Sequence, residues 1–193
     1  MKFVARPEQA PSSAEWLYRH PDGHSDVPGQ TWRQQLVAYN TSARDNPLCL
    51  LEAYRLYQDS VYKELVVACG LTNVFILSAG WGLVRADYRL PDYDITFAST
   101  KPADRYKRRM PGDKYDDFFQ LAGGEVGPVV CFVTKHYWSL LQKVTDPLHC
   151  EKVVFFATND PPNCPQWTPI PFRRFTNWQY TCAKEFLPGK LSI

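Results

Sequence analysis

The sequence predicts an α/β fold: a single domain over residues 1–193, with a central, largely parallel sheet flanked by helices in three layers. Three observations carry this. The runs NVFILSA (73–79), PVVCFVT (128–134) and KVVFFA (152–157) are short, apolar and rich in β-formers, as strands covered on both faces are. Segments with helical spacing alternate with them. A chain of 193 residues with 45% hydrophobic content suffices for one well-buried core and is short for two.

Residues 1–30 read as an irregular arm, because Pro7, Pro11, Pro21 and Pro28 interrupt any helix. Trp16, Leu17 and Tyr18 are its expected anchors. Trp32, Leu36 and Tyr39 recur at helical spacing, so a helix starts near Thr31. A second helical region is expected from Leu50 to Cys69, where Leu50, Tyr54, Tyr57, Val61 and Leu65 share a face and Gly70 supplies the stop. After the strand at 73–79, a polar helix is expected around Lys114–Leu121. The strand at 128–134, a helix at His136–Val144 and the strand at 152–157 follow. The stretch Pro161–Pro171 is proline-rich, and a last helix begins near Asn177 and ends before Pro188.

A net charge of +2 is too small to declare a nucleic-acid binder, although local basic clusters could still make one. The six cysteines form no CxxC pair and no zinc-ligand spacing. Cys49, Cys69 and Cys131 lie in apolar runs and read as reduced, buried hydrophobes, which points to the cytosol. No signal peptide, no apolar run of about 18 residues and no obligatory protein partner is indicated. His20 and His24 are separated by Pro21 and Gly23 and do not form a helical metal pair, so no metal is expected. Without GxSxG, P-loop or GxGxxG motifs, no cofactor is expected either. His136 reads as a surface or cap residue.

The chemistry concentrates in Ser78–Phe97, SAGWGLVRADYRLPDYDITF. In open α/β sheets ligands bind beyond the carboxyl ends of strands, where Ser78, Gly80, Trp81 and Gly82 fall. Two glycines let backbone approach a ligand, and the indole offers a stacking face. Asp92 and Asp94 flank Tyr93 and share one side of an extended segment, an arrangement suited to acid/base work or to stabilising a cationic transition state. The competing reading is a tight turn around a core Trp, with Asp92 as a turn or cap residue. Arg85 and Asp87 lie between the two features.

Arg105, Tyr106, Lys107, Arg108 and Arg109, followed by Lys114, interleave charge and rings as a phosphate backbone with exposed bases requires; a solvated face is the alternative. In Arg173, Arg174, Phe175, Thr176, Asn177, Trp178, Gln179 and Tyr180, Asn177 and Gln179 can read base edges while Trp178 and Tyr180 stack. The same residues suit a helix with Asn177 at its cap and Trp178 in the core. Asn40 is either a base ligand or a helix C-cap.

The stretch ILSAGWGLVRADYRLPDYDITF, preceded by AYRLY, resembles bacterial proteins of the peroxide-stress YaaA and related families, which carry an ILSAxxGL strand-loop and a later YD element. WRQQLVAYN, the central loop, YKRR and TNWQY are similar to small phage-defence proteins of the DNA glycosylase class, with a uracil-DNA-glycosylase-like fold. The chain has no GQDPY-like or HPSPLS-like loop, so no residue is carried over from uracil glycosylases themselves. The resemblance implies excision of a modified base, glucosylated 5-hydroxymethylcytosine, from phage DNA. It implies Asp94, then Asp92, as the carboxylate beneath the sugar. Trp81 and Tyr93 would stack on the base, and Ser78 with the Gly80 and Gly82 amides would bind it as it leaves. Arg85, Asp87 and Asn177 would line the pocket, and Lys107, Arg108 and Arg109 would hold the strand. A non-catalytic DNA-binding protein of the YaaA kind and a nucleoside or nucleotide N-ribosyl hydrolase are the alternatives.

Overall fold

The computed structural model describes residues 1–42, 45–121, 127–159, 161–187 and 189. The arm is anchored at its start and, of the three expected anchors, at Tyr18, whose ring packs edge-on against Tyr106. Strand β1 (Lys2–Phe3) pairs in parallel with β2 (Tyr18–Arg19), and Phe3, Val4 and Ala5 are buried. Phe3 meets the rings of Trp32 and Trp81 edge-on at 6.0 and 5.2 Å. Leu17, by contrast, is exposed.

Helix α1 (Trp32–Ser42) begins where the sequence places it. Thr31 Oγ1 accepts the Gln34 amide proton at 3.2 Å, and Gln34 Oε1 accepts that of Thr31 at 2.8 Å, a reciprocal capping box. The second helical region divides. Residues Leu51–Glu52 form β3 and Ala53–Arg55 a 3₁₀ turn, and only Val61–Cys69 is helix α2. The first half is taken by pairing to β6 (Arg89–Leu90), continued by the Ala53 amide donating to the Tyr88 carbonyl at 2.8 Å. Asp59 then accepts the Val61 N–H and starts α2 afresh, and Gly70, at φ +83°, ends it.

Strand β4 (Phe75–Ser78) turns directly into β5 (Gly82–Arg85), so this pair is antiparallel, while β5 runs parallel to β7 (Phe118–Phe119). The helix expected at 114–121 is absent because residues 118–119 extend along β5, with Phe118 stacked on Trp81 at 6.2 Å. Strand β8 (Val129–Phe132), helix α3 (Trp138–Thr145), strand β9 (Lys152–Ala157), strand β10 (Thr168–Phe172) and helix α4 (Trp178–Phe186) complete the described elements. The sheet β10-β9-β8 is wholly parallel. Along β9, Val153, Phe155 and Ala157 meet Trp178 and Cys182 of α4, whereas Val154 meets Leu141 of α3.

The chain is therefore mixed α/β. Its described strands form two three-stranded and two two-stranded sheets rather than one largely parallel sheet. Strand β10 lies in the proline-rich stretch. The Phe172 carbonyl accepts the Thr158 amide proton, so the peptide groups of Thr168, Ile170 and Phe172 face β9 and the proline nitrogens of Pro169 and Pro171 face the free edge. All six cysteines are free; Cys49 and Cys69 are exposed rather than buried, and burial pushes the Cys131 and Cys182 thiols up to about 12. Among the described residues no helix is long and apolar enough to cross a membrane.

Gly82 sets the β5–β7 distance: it sits at φ +89°, and a Cβ there would lie 2.6 Å from the Phe118 amide nitrogen and carbonyl oxygen. Gly82→Ala is expected to cost at least about 1–3 kcal/mol in urea unfolding. Gly112→Ala, where a Cβ meets nothing within 4 Å, leaves the midpoint in place.

Candidate functional site

The turn from Ser78 to Gly82 is closed upon itself. Ser78, buried at the end of β4, accepts the amide protons of Gly80 and Trp81 at 3.2 and 3.1 Å, and its hydroxyl donates to the Tyr93 oxygen at 3.0 Å. Two buried arginines take the carbonyls. Arg109 donates to Ala79 at 2.8 Å, and Arg33 donates to Gly80 and Trp81 at 2.9 and 3.0 Å. Each is backed by a carboxylate: Arg33 pairs with Asp22, and Arg109 forms a fork with Asp117 at 2.7 and 2.8 Å.

The base-binding roles expected of this turn are therefore corrected. Trp81 is fully buried between Phe3, the Arg33 guanidinium and Phe118, and offers no face to a ligand. The Gly80 amide is engaged, and Ile95 and Tyr93 close the space beside its Cα. Gly82 serves strand contact. Asn40 donates to the Leu36 and Arg89 carbonyls and accepts the Arg89 amide proton, stitching α1 to β6. Arg85 and Asp87 form an ion pair with each other, at 2.6 Å.

The acidic pair fares differently. Residue 93 bridges Phe3 in parallel, with the Phe3 amide donating to Asp92 and the Asp94 amide to Phe3. Alternation along this extended segment turns Tyr93 inward and both carboxylates toward solvent, 50% exposed for Asp92 and 39% for Asp94. Lys2 lies 3.7 Å from Asp92 and 5.3 Å from the centre of the Trp16 ring. Lys107 bridges Asp94 at 3.0 Å and Asp104 at 2.8 Å; hydrogen bonds to Asp104 and then Asp94 hold its ammonium well above the usual lysine range. The surface ring on this side is thus Trp16, reached through Lys2 and expected only as an anchor of the arm.

Of the basic run, Arg105 is exposed and Lys107 half-buried on the 3₁₀ helix Pro102–Lys107. Tyr106 is buried edge-on to Tyr18, and the Arg108 carbonyl is tied to Arg6. Arg109 is 5% exposed and structural, not a phosphate clamp. Lys114 is exposed beside a 260 Å³ cleft containing His20 and Tyr115. Near the C-terminus, Trp178 is core, Arg173 pairs with Glu185, and Arg174 and Asn177 are exposed along a groove with His136. Asn177 holds the cap position, but its side chain makes no cap bond.

Sequence reasoning missed a cluster of tyrosines drawn from four segments. The Tyr57 and Tyr62 rings stack at 4.5 Å, Tyr62 meets Tyr180 edge-on, and the Tyr57 and Tyr93 hydroxyls are hydrogen-bonded. Burial raises the Tyr57, Tyr62, Tyr93 and Tyr137 hydroxyls, so these four stay protonated and able to donate near neutral pH. Tyr93 and Tyr180 carried sequence signals, each as a ring expected to stack on a base; Tyr93 is instead turned inward onto Ser78 and Tyr57, and Tyr62 and Tyr137 lie in segments with no shared motif. Compared with protein-family models, with curated proteins and with solved structures, the chain matches none.

Burial alone would raise the Asp117 carboxyl, but hydrogen bonds from Arg109 and Lys143 outweigh it and hold the carboxyl below its ordinary value. Its stabilisation is present above the unfolded carboxylate pKa, near 4, and lost as pH falls through the lower folded value. Asp117→Asn is expected to cost about 3–5 kcal/mol in urea unfolding at neutral pH and less toward pH 3; an unchanged midpoint contradicts the assignment.

Proposed function

We propose that the chain is a base-excising DNA glycosylase working through the solvent face that carries Asp92 and Asp94. One observation carries this reading: the two carboxylates lie on the same side of one extended segment, each beside a lysine, with Arg105 on the 3₁₀ helix that carries Lys107 and the Trp16 indole against Lys2. Glycosidic cleavage breaks the C–N bond, sends its electron pair to the departing base, and leaves an oxocarbenium-like sugar. Asp94 stabilises that cation or takes a proton from the attacking water, with Asp92 as second carboxylate. Lys107 and Arg105, with Lys114, meet DNA phosphates. Approach of phosphate competes with Asp94 for Lys107 and releases the carboxylate toward the sugar.

The uracil-DNA-glycosylase-like three-layer fold belongs to the same proposal; its support is the parallel β10-β9-β8 sheet and the contacts of α3 and α4 with alternate residues of β9. The choice of glucosylated 5-hydroxymethylcytosine rests on the resemblance of the loop and YKRR segments alone. A second reading, a non-catalytic DNA-binding protein, is favoured by the closed Ser78–Gly82 turn, whose amides and indole offer no base clamp.

Incubation with glucosylated phage DNA should generate alkali-labile abasic sites. Asp94→Asn should lower base release by roughly 10²–10⁴-fold while DNA binding persists. Full activity in that variant rejects the role of Asp94. Salt-dependent binding without base release from any modified DNA favours the second reading.

A further inference from the structure

A groove of about 560 Å³ opens beyond the carboxyl ends of β8, β9 and β10, between Thr134–Trp138 on one side and Arg174–Gln179 on the other. It falls within the roughly 300–1,000 Å³ typical of small-molecule sites, and parallel strands direct ligands to this end. None of its lining residues is acidic, while Lys135, His136 and Arg174 all contribute to it. Arg174 is exposed and, among the described residues, no carboxylate pairs with it, in contrast to its neighbour Arg173.

Three further features mark the groove as more than a basic surface. Phe175 is 40% exposed at its edge, with the Arg173 guanidinium 5.6 Å from the ring centre. Asn177, a non-glycine residue, is held at φ +58°, and its carboxamide makes no cap bond to α4. The Trp138 indole N–H is buried without a partner among the described residues. A guanidinium fork suits a phosphate, an exposed ring suits a planar heterocycle, and a carboxamide can pair with a base edge.

We propose that this groove binds a nucleoside 5′-phosphate, with the phosphate on Arg174 and His136, the base against Phe175, and Asn177 on the base edge. The same chemistry is presented by a free mononucleotide and by the 5′-phosphorylated end of a strand. Neither Asp92 nor Asp94 lines the groove, so the assignment goes beyond base excision and does not depend on it.

The test is calorimetric titration of the intact chain with deoxycytidine 5′-monophosphate, deoxycytidine, and a tetranucleotide with or without a 5′-phosphate. Saturable binding of the monophosphate, at least about tenfold tighter than deoxycytidine and weakened about tenfold or more by Arg174→Ala, supports a free-nucleotide site. The same pattern confined to the 5′-phosphorylated tetranucleotide supports the strand end as the source. Arg174 is exposed and has no ion-pair partner among the described residues, so the variant should melt as the parent does. Binding by none of the probes, equal binding with and without the 5′-phosphate, or affinity untouched by Arg174→Ala overturns the proposal; base release by the Asp94 face is scored separately and is unaffected by either result.

Discussion

Three consecutive carbonyls, those of Ala79, Gly80 and Trp81, are held by two buried arginines, and much of the N-terminal two-thirds of the structure is arranged to make that possible. Each of these carbonyls, left buried and unpaired, would cost about 1–3 kcal/mol. Arg33 comes from α1 and Arg109 from the chain after the 3₁₀ helix, and their carboxylates come from the arm and from the residue before β7. Four distant segments thus converge on one turn. The guanidiniums also lie against rings, Arg33 near Trp81 and Phe118, Arg109 at 3.8 Å from the centre of Tyr115.

This closure separates structure from chemistry. Ser78 spends its acceptor capacity on the turn and its proton on Tyr93, and Trp81 becomes the floor of the core. What remains available to solvent is displaced outward along the same chain, to Asp92 and Asp94. The turn governs their placement through Tyr93: its hydroxyl is fixed by Ser78 and Tyr57, and period-two alternation then sends its two neighbours to the opposite side.

The groove at the ends of β8–β10 belongs to the C-terminal part of the molecule, and the tyrosine array links it to the core around Trp81. Tyr137 precedes α3 and Tyr180 lies in the first turn of α4, so residues adjacent to the groove also reach the Tyr93 neighbourhood. The Tyr57, Tyr62, Tyr93 and Tyr137 hydroxyls remain protonated, so they can donate hydrogen bonds but supply no anion.

How much was legible in the sequence depends on the range of the forces involved. By itself it determined β4, β8, β9, α3 and α4, because their apolar runs and spacings reflect burial of their own side chains. It placed the start of α1, because the Thr31–Gln34 box is local. It also placed both acids on one side of an extended segment. Only tertiary structure decided that residues 51–52 and 118–119 are strands, since their partners are β6 and β5. The same holds for Thr168–Phe172, whose prolines are tolerable only at a free sheet edge. Above all, it decided that Arg109 is internal while Arg105 is exposed, and that Trp81 is core. An arginine or an indole reads alike in either setting along the chain; a buried carboxylate and three waiting carbonyls, supplied from elsewhere in the fold, are what draw one inside.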